Sequence, residues 1–127
     1  EPMAENTLAD SNAVGVPRNA DKALLAIRES NGLVVNLSDE EIMAAQKLLG
    51  RSCGVFGEPA GVTGTAGVAK LCRQGALGSG DTVASVVTGN GLKDVANAIA
   101  ACGEPISIPS DMDRLLAAFA ERGLRPA

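Results

Sequence analysis

The chain has no histidine, tryptophan or tyrosine, and its aromatics are Phe56 and Phe119 alone. With no histidine and no CxxC, a zinc site is not expected. No basic run and no aromatic stacking platform is present, and the formal net charge is −4. Phosphate binding needs clustered lysine and arginine, so nucleic acid is not an expected partner. No apolar run is long enough for a membrane span, and no signal-peptide pattern opens the chain. Cys53, Cys72 and Cys102 are odd in number and far apart, which argues against a disulfide framework. Buried, reduced thiols are expected, and with them a cytoplasmic setting.

What remains is aliphatic. Over 127 residues, 46 % are hydrophobic, so one domain with a core of Val, Leu, Ile and Ala is expected. Residues 1–17 hold two prolines and no period, and read as an extended arm. Asn19 is placed to cap a helix to about Ser30, with Ala23, Leu24 and Ile27 on one face. Ser38 and Glu41 have the spacing of a capping box, and the helix behind them is expected to stop at Gly50. A helix is expected over 62–74, with Gly61, Gly64 and Gly67 spaced three apart. Glycine costs a helix up to about 1 kcal/mol against alanine, so a close approach to that face is implied, by a neighbouring helix, a strand or a ligand. A small helix over 94–101 and a last one capped by Ser110 complete the set, the latter with Leu115, Leu116 and Phe119 inward.

Short apolar runs separate these helices, at 33–37, 55–56, 82–87 and 106–108. The run 82–87 is β-branched and almost wholly apolar, as in a central parallel strand covered on both faces. Alternation of strands and helices predicts an α/β fold with a mainly parallel sheet and flanking helices.

The stretch "SVVTGNGLKD" closes that run with Thr88, Gly89, Asn90 and Gly91. Ligands of open parallel sheets sit beyond the carboxyl ends of strands. A threonine hydroxyl there both donates and accepts, and the glycines would open the backbone to a ligand. The turn lacks the Lys-Ser/Thr of a nucleotide loop and is not GxGxxG. From these residues a ligand turn and a structural turn both stand.

"GVFGEPAGVTGTAGVAKL" followed by "VVTGNGLKD" resembles the C-terminal part of threonine synthases. Those are pyridoxal-phosphate enzymes of the tryptophan synthase β-like fold type. "ENTLADSNAVGVPRNADKALLAIRESNG" and "LSDEEIMAAQKLLG" resemble upstream segments of the same family, in the family's order. The resemblance implies that Thr88 hydrogen-bonds the pyridine nitrogen of pyridoxal 5'-phosphate. Glu58, Pro59 and Ala60 match the block near the cofactor ring, and Gly89 and Asn90 would line the same wall. It also implies the conversion of O-phospho-L-homoserine and water to L-threonine and phosphate.

Lys22, Lys47, Lys70 and Lys93 match no Schiff-base lysine motif of the family. The resemblance places that lysine, the phosphate loop and the smaller domain upstream. The chain is therefore expected to be a C-terminal fragment of the large cofactor-binding domain, inactive alone, with weak or no cofactor binding. Self-association or pairing with the missing N-terminal part is expected, because a cut sheet leaves an open edge beside 82–87. A fragment of a related serine/threonine dehydratase is an alternative, as is a stand-alone module that binds a small anion or a partner without chemistry. Asn12, Gly57 and the glycines of "GVTGTAG" depart from the family pattern, and local packing is where they should tell.

Overall fold

A computed structural model describes residues 4–103 and 105–124. Five α-helices follow one another among these: α1 (Ala20–Glu29), α2 (Asp39–Cys53), α3 (Thr63–Arg73), α4 (Val95–Cys102) and α5 (Met112–Glu121). Short 3-10 turns occupy Asp10–Asn12, Ala60–Val62 and Gly91–Lys93.

Helix α2 organises the packing. The Glu41 N–H donates to Ser38 Oγ at 3.3 Å, and the Ser38 N–H donates to Glu41 Oε2 at 3.0 Å. This is the expected capping box, which satisfies two orphan donors at once. The expected stop at Gly50 is corrected. The helix runs to Cys53, and Gly54 ends it in the left-handed region at φ 69°. Such a cap suits glycine, which has no Cβ to clash.

Ile42, Ala45 and Gln46 form the buried face of α2. With Ala9, Val62 and Ala66 they line a small core, edged by Leu8, Leu37, Leu49, Ala60 and Val87. Helix α2 packs on α3 and α4. Ala9 belongs to this core, so part of the N-terminal run is docked. Asp39 holds it there, accepting from Thr7 Oγ1 at 2.6 Å and from the Leu8 N–H at 3.2 Å.

A second tie joins α2 to α3. Glu41 accepts from Lys70 Nζ at 2.9 Å and from Arg73 Nη2 at 3.0 Å. Lys70 also donates to the Asn36 carbonyl at 2.8 Å. The Lys70 hydrogen bond first, and the Ser38 N–H second, hold the Glu41 carboxyl below the ordinary glutamate range.

Helices α1 and α5 pack on no other helix among the described residues. Leu24 and Leu25 are half exposed, so the expected inward face of α1 covers nothing. On α5 the buried residue is Ala118, and Leu116 is exposed. Its cap is Asp111, which accepts from the Arg114 N–H at 2.9 Å, and not Ser110. Cys53, Cys72 and Cys102 are all exposed, correcting the expectation of buried thiols; each lies at or next to the last turn of a helix, beyond the small core.

No strand is formed among the described residues, and the β pairing present is one isolated antiparallel bridge, Gly57 with Asn90. The runs 33–37, 55–56, 82–87 and 106–108 are irregular. A strand exists through its neighbours' hydrogen bonds, and among the described residues no ladder forms beside these runs beyond the bonds around that one bridge. The surface reflects this. The chain exposes 9609 Å², whereas a folded monomer of this mass exposes about 6,300 Å². Leu33, Val34 and Val86 are among the large apolar residues left in the open.

Candidate functional site

The blocks "VFGEPAG" and "TGNGLKD" lie side by side. The Glu58 N–H donates to the Gly89 carbonyl at 2.9 Å, and the Gly91 N–H donates to the Phe56 carbonyl at 2.9 Å. These bonds flank the Gly57–Asn90 bridge. From the helix side, a Cβ built on Gly61 would stand 2.9 Å from Gly89 N and 3.4 Å from Thr88 N. Backbone meets backbone there, which only glycine permits. One turn on, a Cβ on Gly64 would meet Ser85 Oγ at 2.9 Å, while Gly67 faces open space. Two of the three spaced glycines therefore serve the close approach that the sequence implied.

Glycine also decides the second block. A side chain at Gly89 would run into the carboxylate of Glu58, and one at Gly91 into the ring of Phe56. At these two positions the absent side chain makes room for a side chain of the other block. Gly57, one of the departures from the family pattern, is explained in the same way. A Cβ there would stand 2.6 Å from both Val62 Cγ1 and Val87 Cγ1. Asn12 donates through Nδ2 to the Ala60 carbonyl at 3.4 Å, so this departure links the docked N-terminal run to the site.

Glu58 is 7 % exposed and Pro59 is fully buried. Glu58 Oε1 accepts from Lys93 Nζ at 3.0 Å. Gln46 supports the segment from below, donating through Nε2 to the Gly57 carbonyl at 2.8 Å. Asn90 Oδ1 accepts from the Leu92 N–H at 2.9 Å and so caps the short turn that follows. Asp94 caps α4, accepting from the Asn97 N–H at 3.1 Å. Thr88 is exposed, immediately before the buried Gly89.

Glu58, Pro59 and Ala60 line a cavity of about 360 Å³ together with Asp10, Lys93 and Asp94. Its carboxylates outnumber its ammonium, so the cavity is no cradle for a phosphate. Thr88, Gly89 and Asn90 do not line it. The structure thus brings the six expected site residues into one backbone-linked unit, in which Glu58, Pro59 and Ala60 line this cavity and Thr88, Gly89 and Asn90 lie beside it without lining it. No cluster able to hold a metal ion occurs among the described residues. No helix there is long and apolar enough to cross a membrane.

Sequence reasoning missed the Lys93–Glu58 pair and the buried Gln46. The pair spans 35 positions. Its trace in the sequence is the lone glutamate of one block and the lysine of the other, which sits next to Asp94. Gln46 gave no signal, because a glutamine on a helix face reads as solvated.

Residues 1–89 match the sequence profile of the family described as pyridoxal-phosphate dependent enzyme. The chain is also similar to named threonine synthases. It is 45 % identical over 109 residues to that of Methanocaldococcus jannaschii, covering 86 % of this chain and 27 % of the relative. It is 43 % identical over 109 residues to that of Methanosarcina acetivorans, with the same coverage. Against that of Halalkalibacterium halodurans it is 40 % identical over 111 residues, covering 87 % of this chain and 31 % of the relative. The chain thus spans about three-tenths of the length of the curated relatives it matches. The profile match takes in the Glu58–Ala60 block and reaches Thr88 and Gly89. The chain belongs to the family of pyridoxal-phosphate dependent enzymes.

Proposed function

We propose that this chain is a C-terminal portion of a threonine synthase and supplies one wall of its cofactor site. The intact enzyme would convert O-phospho-L-homoserine and water to L-threonine and phosphate. The observation that carries the reading is Thr88. Its neighbours are accounted for by packing or capping: Gly89 by Glu58, Gly91 by Phe56, Asn90 by the Leu92 N–H. Thr88 is exposed directly before a turn whose backbone is held at Gly89 and Gly91, which suits a residue that meets a partner.

A hydroxyl fits the group proposed for it. It can donate to a neutral ring nitrogen, whereas a carboxylate would favour the protonated ring. Pyridoxal phosphate, when bound, supplies the electron sink for chemistry at an amino acid, and the protein tunes it. Thr88 would orient the ring and set the state of its nitrogen. Glu58, Pro59 and Ala60 would back the same wall, with Gly89 and Asn90 shaping its edge.

The remaining structure is assigned to the rest of the enzyme. The apolar runs at 33–37 and 82–87 would be strands of a mainly parallel sheet, completed by neighbours from the N-terminal part. The excess exposed surface supports this reading. The lysine that carries the cofactor and the phosphate loop would come from that part too. The chain alone would be inactive, bind cofactor weakly or not at all, and associate with itself or with the missing part in the cytoplasm.

The test is an assay of the purified 127-residue chain with pyridoxal phosphate and O-phosphohomoserine, followed for threonine and phosphate. No product is expected until the N-terminal portion of the enzyme is added back. Turnover by the chain alone overturns the reading, because one of its own lysines would then carry the cofactor.

A further inference from the structure

We propose that Lys93 is a positioning residue for Thr88, acting through Glu58. The side chain of Lys93 is 61 % exposed, yet its ammonium rests on a carboxylate that is 9 % exposed. That carboxylate also fills the space beside Gly89. The Glu58 N–H meanwhile holds the Gly89 carbonyl. Both contacts land on the residue that follows Thr88. The turn is therefore clasped at Gly89 by the backbone and side chain of one glutamate.

The ammonium keeps the clasp shut. A buried carboxylate without a partner is driven toward water, because its desolvation is no longer offset. Asp10 and Asp94 line the same cavity and add repulsion from the same side. With Lys93 removed, Glu58 would swing outward and vacate the space against Gly89. The two backbone bonds between the blocks would then be left to hold the turn by themselves. Lysine and arginine both supply the needed charge, whereas an apolar chain of the same length does not.

Two measurements separate the clasp from its role toward the cofactor, which rests on the reading of Thr88 given above. The first is hydrogen exchange of the 127-residue chain without cofactor. K93M is expected to speed exchange at the Glu58 and Gly91 amides by about tenfold or more, with the α2 amides unchanged. K93R should restore protection. Equal exchange in K93M and the parent overturns the clasp, as does a K93M loss that K93R fails to rescue.

The second is the absorbance of the bound cofactor against pH in the whole enzyme. T88V is expected to shift the profile, and K93M to shift it in the same sense, with K93R close to the parent. A shift in T88V with none in K93M overturns the positioning role. No shift in T88V overturns the reading of Thr88 and the cofactor half of this proposal with it, while the exchange result still decides the clasp.

Discussion

The carboxylate of Glu58 stands where a side chain at Gly89 would begin. The glycine and the glutamate are 31 positions apart and neither makes sense alone. A buried glutamate needs room and a partner. Gly89 gives the room and Lys93 the partner. Gly89→Ala is therefore expected to destabilise the chain by about 1–3 kcal/mol, the usual range for forcing extra atoms into a packed site. Glu58→Ala should remove most of that penalty in the double variant, because the clash partner is gone. Urea midpoints of the singles and the double measure the coupling. Additive effects would mean that the two residues do not share this space.

The same geometry explains what could be seen in the sequence. The capping box at Ser38 and Glu41 was legible because its parts are three residues apart and its chemistry is local. The spacing of Gly61 and Gly64 announced a close approach, although not its target, since Gly89 and Ser85 are distant in the chain. The glutamate that fills the space beside Gly89 left no sign in the sequence. A glycine that admits a ligand and a glycine that admits a glutamate look the same in one dimension. The runs 33–37 and 82–87 have the composition of buried strands, and composition reports the environment a run suits. Pairing depends on neighbours, and among the described residues no strand pairs with these runs. The cysteines were expected inside because free thiols usually are, but the core is built from α2, α3 and a few docked residues and does not reach them.

The capping box gives a local prediction. Ser38→Ala removes the acceptor of the Glu41 N–H, while the Ser38 backbone N–H that donates to Glu41 Oε2 stays in place. A loss of about 1 kcal/mol is expected, as for other N-cap truncations. Ser38→Asp should keep most of the stability, since an aspartate oxygen can accept the same bond. Thermal unfolding of the three proteins checks this. A Ser38→Ala variant as stable as the parent would show that water satisfies the helix end equally well.

Acid should loosen the tie between α2 and α3. Lys70, Ser38 and Arg73 hold the Glu41 carboxyl below its ordinary range, and the Ser38 hydroxyl lowers Glu40 as well. A depressed carboxylate contributes stability that is present above its unfolded value and lost as pH falls through its folded value. The parent should therefore lose its advantage over Glu41→Gln as the pH falls through and below the ordinary glutamate range. The pair lies at the surface, partly exposed, so the difference at neutral pH should be small and should shrink in high salt. Denaturation midpoints of both proteins against pH provide the measurement. A gap that widens in acid would reverse the assigned sign.

The open surface predicts association. Val86 is 78 % exposed in a run of β-branched and apolar residues with no paired neighbour among the described residues. Unpaired apolar segments of this kind template pairing with another chain, and a charge placed on them discourages it. Sedimentation of the 127-residue chain should show a concentration-dependent rise in mass, and Val86→Lys should bring it back toward the monomer. The helix content of the variant should match that of the parent, because Val86 touches neither α2 nor the core around it. If Val86→Lys associates as strongly as the parent, the contact runs through another exposed face, and Leu33 and Val34 become the next positions to charge. A parent that stays monomeric throughout would mean that the chain shields this run in solution by itself, and the case for a missing neighbour along 82–87 would be lost.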